Sequence, residues 1–234
     1  MEGVAQNVLE GEAPARALIF ELELLAVSGW SFLYDALKEV LPAHGVKVTI
    51  PVFSRYFASR SPELALKQMA VDLEKPELSG GEVMAAVKEA YVSRVKGADG
   101  VRDGLVKLIG DLRKHDIKLG ALTCMEDDVV AGILEKLGLT ADEIMVLKSE
   151  HCGRAAPTAQ DWLRLAKKMQ VSTSLCTVAT TSSSSSKAAL CSGMRCFAVP
   201  DKMTEFHDFG GVDYVVSSLD EEVEELVVKL VEAF

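Results

Sequence analysis

Two carboxylates, Glu21 and Glu23, follow the apolar run Ala17-Leu18-Ile19-Phe20 at a spacing of two residues. Such a run forms a buried strand, and strand side chains alternate with period two. Both acids therefore start out facing the same way, where strand gives way to loop. Paired acids at such a point can hold a hard, oxygen-seeking cation such as Mg²⁺, or divide nucleophilic and acid/base work between them. Metal-assisted phosphoryl chemistry often begins in this way. The bland alternative is two polar positions left at a strand end.

A second concentration of polar groups runs from Leu175 through Thr180, Thr181 and the serines 182–186 to Lys187. Its place between an apolar run and a helical segment argues against a long linker. Hydroxyls crowded at a helix N-terminus, with its free N–H groups, can bind an anion without a metal. Ser184-x-x-Lys187 also matches the Ser/Lys pair of penicillin-recognising enzymes, but in a serine tract that match carries almost no weight. His151 beside Cys152 supplies two ligands, which do not make a metal site. Glu126-Asp127-Asp128 sits where a helix begins, and acids there complement the dipole without doing chemistry.

The elements that position these groups are legible from periodicity. Apolar, β-rich runs at Lys118 to Thr123, Glu143 to Lys148, Leu175 to Thr180, Arg195 to Pro200 and Asp213 to Ser217 alternate with helical segments. With Ala17 to Phe20 they predict about six strands in a parallel sheet covered by helices on both faces. The helices are expected at Val101 to His115, Asp127 to Leu137, Ala159 to Met169 and Glu221 to Ala233. Thr158 caps the third and Asp220 the last. Residues 29–96 differ, offering amphipathic runs at Phe32 to Leu41, Val52 to Phe57, Glu63 to Leu73 and Gly81 to Val95 with little strand pattern. They read as a helical cap inserted after the first strand, leaving 1–28 and 97–234 as the core. Trp30 and Trp162 are packing residues by type, and Trp30 enters the cap where it can also line a cleft.

A chain of 234 residues, 49% hydrophobic and 26% charged, is long enough to bury a sizeable core with a smaller cap. The formal charge of −10 and the lack of a Lys/Arg cluster disfavour nucleic acid as a partner. The five cysteines lack CxxC spacing and read as reduced thiols. With acids near the start and no long apolar run, the expected location is cytoplasmic and off the membrane.

The strand ending in Phe20-Glu21-Leu22-Glu23, the Leu122-Thr123-Cys124 strand end, Gly153-Arg154-Ala155-Ala156-Pro157 before a helix, and the frame closing in Gly193-Met194 together resemble the four signatures of the haloacid dehalogenase (HAD) superfamily. The cap position is similar to that of its phosphoglycolate phosphatase and β-phosphoglucomutase type. The resemblance implies a Rossmann-like α/β core with a helical cap. It implies Glu21 as nucleophile and Glu23 as acid/base, Thr123 and Cys124 as phosphoryl contacts, and Arg154 or Lys148 as the balancing cation. It places Thr180 and Thr181 where acids complete the Mg²⁺ shell, while the helix N-terminus that follows makes Thr181 and Ser182 the candidate anion contacts. Both first-signature aspartates are glutamates here, one methylene longer, and the fourth-signature acids are hydroxyls, which are weak Mg²⁺ ligands.

The expectation is a HAD homologue with a degenerate phosphotransferase site that is non-catalytic or very weakly active and binds a small anion or phosphorylated ligand. No cofactor is expected. A protein partner or homodimer fits the same reading. Two alternatives stay open. One is a working phosphatase or phosphomutase using Glu21 and Glu23 with Mg²⁺. The other is a metal-independent dehalogenase in which Glu21 attacks carbon.

Overall fold

The computed structural model describes residues 15–57, 60–149 and 156–232. In chain order the elements are β1 (Ala17–Glu21), α1 (Leu22–Ala26), α2 (Gly29–Val40), α3 (Ile50–Tyr56), α4 (Pro62–Asp72), α5 (Gly81–Lys96), α6 (Leu105–Lys114), β2 (Lys118–Thr123), α7 (Asp127–Leu137), β3 (Ile144–Lys148), α8 (Ala159–Met169), β4 (Cys176–Thr180), α9 (Ser183–Cys191), β5 (Arg195–Ala198), β6 (Tyr214–Val215) and α10 (Glu221–Glu232). The six strands form one parallel sheet in the order β3-β2-β1-β4-β5-β6. This is the Rossmann-like parallel α/β architecture of six strands expected from the sequence.

β1 shows why an apolar run forms the central strand. Leu18 and Phe20 enter one core with α6, α7 and α10, while Ala17 and Ile19 enter the opposite core with α8 and α9. Alternation thus buries both faces, and every residue of β1 is buried. A third apolar cluster, including Trp30, Leu37, Phe53, Leu66, Met69 and Val87, joins α2 to α5 and takes in Met203 from the loop after β5. Residues 29–96 therefore pack around an apolar centre that also takes in Leu24 and Met203.

The capping expectations are met locally. Thr158 and Asp161 form a capping box at α8, the Thr158 N–H and hydroxyl both donating to Asp161 Oδ2 at 2.8 Å. Asp220 Oδ1 accepts the N–H of Val223 at 3.1 Å. The helix expected from Val101 begins at Leu105. Before it, the Arg102 N–H donates to Ala26 O at 2.7 Å, tying the segment to the end of α1. Gly104 then turns with φ +78°, and a Cβ there would lie 1.7 Å from Leu219 O, so only glycine fits. The last two strands are shorter than their apolar runs. Cys176 and Cys196 are buried free thiols as expected, whereas Cys191 is exposed. Among the described residues no helix is long and apolar enough to cross a membrane.

Candidate functional site

The carboxyl ends of β1 and β2 open into a cleft of about 270 Å³ lined also by residues of α2 and α5. Glu21 ends β1 beside Leu122 of β2 and has extended backbone angles, φ −86° and ψ 114°. Glu23 lies not on strand or loop but in the first turn of α1. The two acids meet because the chain turns directly from strand into helix, not because strand alternation continues past Glu21. They are 5% and 6% exposed and line the same cleft.

Their hydrogen bonding is unequal. Glu23 Oε2 accepts the Thr123 hydroxyl at 2.7 Å, and its Oε1 accepts the Cys124 backbone N–H at 3.1 Å. Thr123 Oγ1 in turn accepts the N–H of Met125 at 3.0 Å. Glu21 Oε2 and the Ser185 hydroxyl are both buried without a hydrogen bond of good geometry, yet the hydroxyl lies near enough to the Glu21 carboxyl to act on it. Burial pushes the Glu21 carboxyl up to about 8; the Ser185 hydroxyl opposes that rise and the Glu23 charge adds to it. Burial also raises Glu23, against the lowering effect of the Thr123 and Cys124 donors. Among the described residues no cationic side chain offsets either acid.

The hydroxyls expected to face an anion or metal are engaged elsewhere. Thr180 is fully buried with Oγ1 3.6 Å from Cys196 Sγ, toward β5. Thr181 Oγ1 accepts Trp30 Nε1–H at 3.0 Å, and its carbonyl accepts the Thr204 hydroxyl at 2.6 Å. Ser182 caps α9, its Oγ accepting the N–H of Ser185 at 3.4 Å. Lys148, at the end of β3, pairs with Glu126 at 2.6 Å on the surface. Thr123 and Cys124 line the cleft beside the acids. Arg154, with His151 and Cys152, lies outside the described residues.

The resemblance noted in the sequence implies Mg²⁺, an ion needing a near-octahedral set of oxygens. The described residues do not fit it. Both Glu23 oxygens already accept hydrogen bonds, and Thr180 and Thr181 offer neutral hydroxyls bonded or packed away from the acids. Among the described residues no group of three or more His, Cys, Asp or Glu is placed to hold a metal.

Several residues of the region carry no motif. Met84, Val87 and Tyr91 fall on one face of α5 and line the cleft, with Leu24, Trp30 and Leu33 opposite; their i, i+3, i+7 spacing was the available signal. Asp201 follows β5 and is 4% exposed. Its Oδ1 accepts Ser31 Oγ at 2.8 Å and Met203 N–H at 2.9 Å. The rule that ligands gather at strand ends points to this position.

A family profile for haloacid dehalogenase-like hydrolases matches residues 24–178. The chain is similar to the Bacillus subtilis (strain 168) protein YhcW, provisionally described as a phosphatase, at 23% identity over 206 residues, covering 88% of this chain and 93% of that one. Its fold is similar to that of CbbY from Rhodobacter sphaeroides, solved in complex with phosphate, with TM-score 0.70 and 17% identity over 88% of this chain and 96% of that chain. It is also similar to the β-phosphoglucomutase of Clostridium difficile, with TM-score 0.65 and 16% identity over 94% and 100% of the two chains. With its sheet order, its helical insertion after β1 and a family match over more than half its length, the chain belongs to the haloacid dehalogenase-like hydrolases.

Proposed function

We propose that this protein is a non-catalytic member of its family, whose cleft binds a ligand and does not transfer phosphoryl groups. The observation that carries this reading is the position of Glu23. Its carboxylate takes the Thr123 hydroxyl and the Cys124 N–H, the two donors the family resemblance reserves for the phosphoryl group. The protein's own anion thus stands where a substrate anion would sit.

The rest of the cleft supports the same conclusion. A nucleophile must be ionised and aligned to within a fraction of an ångström. Glu21 is held largely neutral near pH 7 by burial, and it is a methylene longer than the aspartate of the signature. The positions that would complete a metal shell carry hydroxyls, Thr181 accepting from Trp30 and Thr180 facing Cys196. The sheet survives these changes because it depends on apolar burial that the strand ends do not supply.

The test is phosphate release from a panel of phosphomonoesters, with Mg²⁺ and with protein shown to be folded. The expected result is no turnover above the Glu21→Gln variant. Mg²⁺-dependent turnover that Glu21→Gln abolishes would establish instead the working phosphatase suggested by the likeness to YhcW.

A further inference from the structure

The end of β6, the loop after β5, the segment before α6 and the turn into α2 enclose a second cavity, of about 560 Å³. It shares no lining residue with the cleft at β1 and β2, and its own lining residues lie in the described parts of the chain. Asp201 is buried in its wall and Arg102 half-buried, while Lys202 and Glu205 are exposed at its mouth. Ser28 and Ser31 add hydroxyls.

We propose that this cavity binds a free α-amino acid, its carboxylate on Arg102 and its ammonium group on Asp201.

Two opposite charges stand in the same wall and do not meet. Arg102 Nη2 and Asp201 Oδ2 are each buried without a hydrogen-bond partner. They are close enough for the Asp201 charge to oppose the lowering of the Arg102 guanidinium by burial. Both side chains are otherwise held: Arg102 Nε donates to Leu25 O at 3.0 Å, and Asp201 Oδ1 accepts Ser31 Oγ at 2.8 Å and the Met203 N–H at 2.9 Å. One donor and one acceptor are left over, and a ligand with a carboxylate and an ammonium on one carbon meets both with charge-assisted bonds. Both atoms are covered by the wall, so the seated ligand draws the two end groups round toward the cavity.

The charge balance selects a molecule of both signs. Arg102 and Lys202 are matched by Asp201 and Glu205, and among the described residues none of the four takes part in an ion pair. A simple anion here faces Asp201 and Glu205, and a simple cation faces Arg102 and Lys202; a zwitterion avoids both repulsions. Among the described residues no aromatic side chain lines the cavity to give a sugar ring a stacking face. The volume lies inside the usual range for small-molecule sites, roughly 300–1,000 Å³, and Val215 and Val216 leave apolar wall for the side chain of the ligand.

Thermal-shift measurements on the full chain with each of the protein L-α-amino acids, followed by calorimetry at pH 7, test the proposal. At least one amino acid is expected to raise the melting temperature and bind saturably. Its analogue lacking the amino group and its analogue lacking the carboxyl group are each expected to bind about tenfold or more weaker. Asp201→Asn, which keeps an acceptor for Ser31 and Met203 and removes the charge, is expected to weaken binding by about tenfold or more. Ser217→Trp, at an exposed position of the lining, is expected to abolish it, and Glu21→Gln, in the separate cleft, to leave it unchanged. No amino acid bound, either analogue bound as tightly, binding unchanged in Asp201→Asn or Ser217→Trp, or binding lost in a folded Glu21→Gln would each overturn the proposal. The analogues with the parent protein decide it if a variant fails to fold.

Discussion

The carboxylate of Glu23 accepts the hydroxyl of Thr123 at 2.7 Å, joining the first turn of α1 to the end of β2 across 100 residues of chain. The bond makes two signature residues serve each other instead of a substrate. Removing the donor leaves a buried acceptor unmet. Thr123→Val is therefore expected to lower stability by about 1–3 kcal/mol, whereas Thr123→Ser, which keeps the hydroxyl, costs less than about 1 kcal/mol. Urea denaturation of the two variants checks this; a Val variant as stable as the parent would show that the bond contributes little.

Glu21 links stability to pH. Its folded-state pKa stands at about 8 against an ordinary value of 4.5, so between these limits the native state binds a proton that the unfolded chain has released. Stability at Glu21 is accordingly full below about pH 4.5 and is lost as pH rises through 8, at up to roughly 1.4 kcal/mol per unit. Denaturation midpoints of the parent measured from pH 5 to pH 8 are expected to fall more steeply than those of Glu21→Gln, which has no proton to lose. Parallel profiles would contradict the assigned shift.

Trp30 and Ser31, consecutive in α2, bond two separate loops of the core, at Thr181 Oγ1 and Asp201 Oδ1. Trp30→Phe keeps most of the ring volume and removes the first bond. An expected loss of about 1–2 kcal/mol, with faster amide exchange in the first turns of α2, follows from a buried acceptor left without its donor. Unchanged exchange in α2 would mean that apolar packing alone seats this helix.

Two glycines separate backbone requirement from mere permissiveness. At Gly104, with φ +78° and Leu219 O in the space of a Cβ, alanine is expected to cost more than about 3 kcal/mol. At Gly132, inside α7 with nothing near a built Cβ, alanine is expected to stabilise by about 0.5–1 kcal/mol. Thermal denaturation of both variants gives the comparison, and equal effects would contradict it.

How much of this was legible in the sequence depends on the range of the interaction. β1, the α8 capping box of Thr158 and Asp161, and the helix Asp127–Leu137 are local, set by alternation, caps and the αL turn at Gly138. The start of α6 was misplaced because Val101 fits a helical period, while the tie from Arg102 to Ala26 O and the contact of Gly104 with Leu219 are tertiary. The acids were legible as a pair, but not Glu23's place in a helical turn or its capture of the Thr123 and Cys124 donors. Trp30 bonding Thr181 spans 151 residues, and Tyr91 reaches the cleft only through the packing of α5 on α2. No sequence period encodes such meetings.

The most direct measurement is a calorimetric titration of inorganic phosphate, with and without Mg²⁺, into the parent protein and into Glu23→Ala. If Glu23 fills the phosphoryl seat, the parent gives no saturable heat under either condition, while Glu23→Ala, with the Thr123 hydroxyl and the Cys124 N–H released, binds phosphate saturably. Saturable binding to the parent as tight as to the variant would contradict that occupancy, and with it the non-catalytic reading of the cleft.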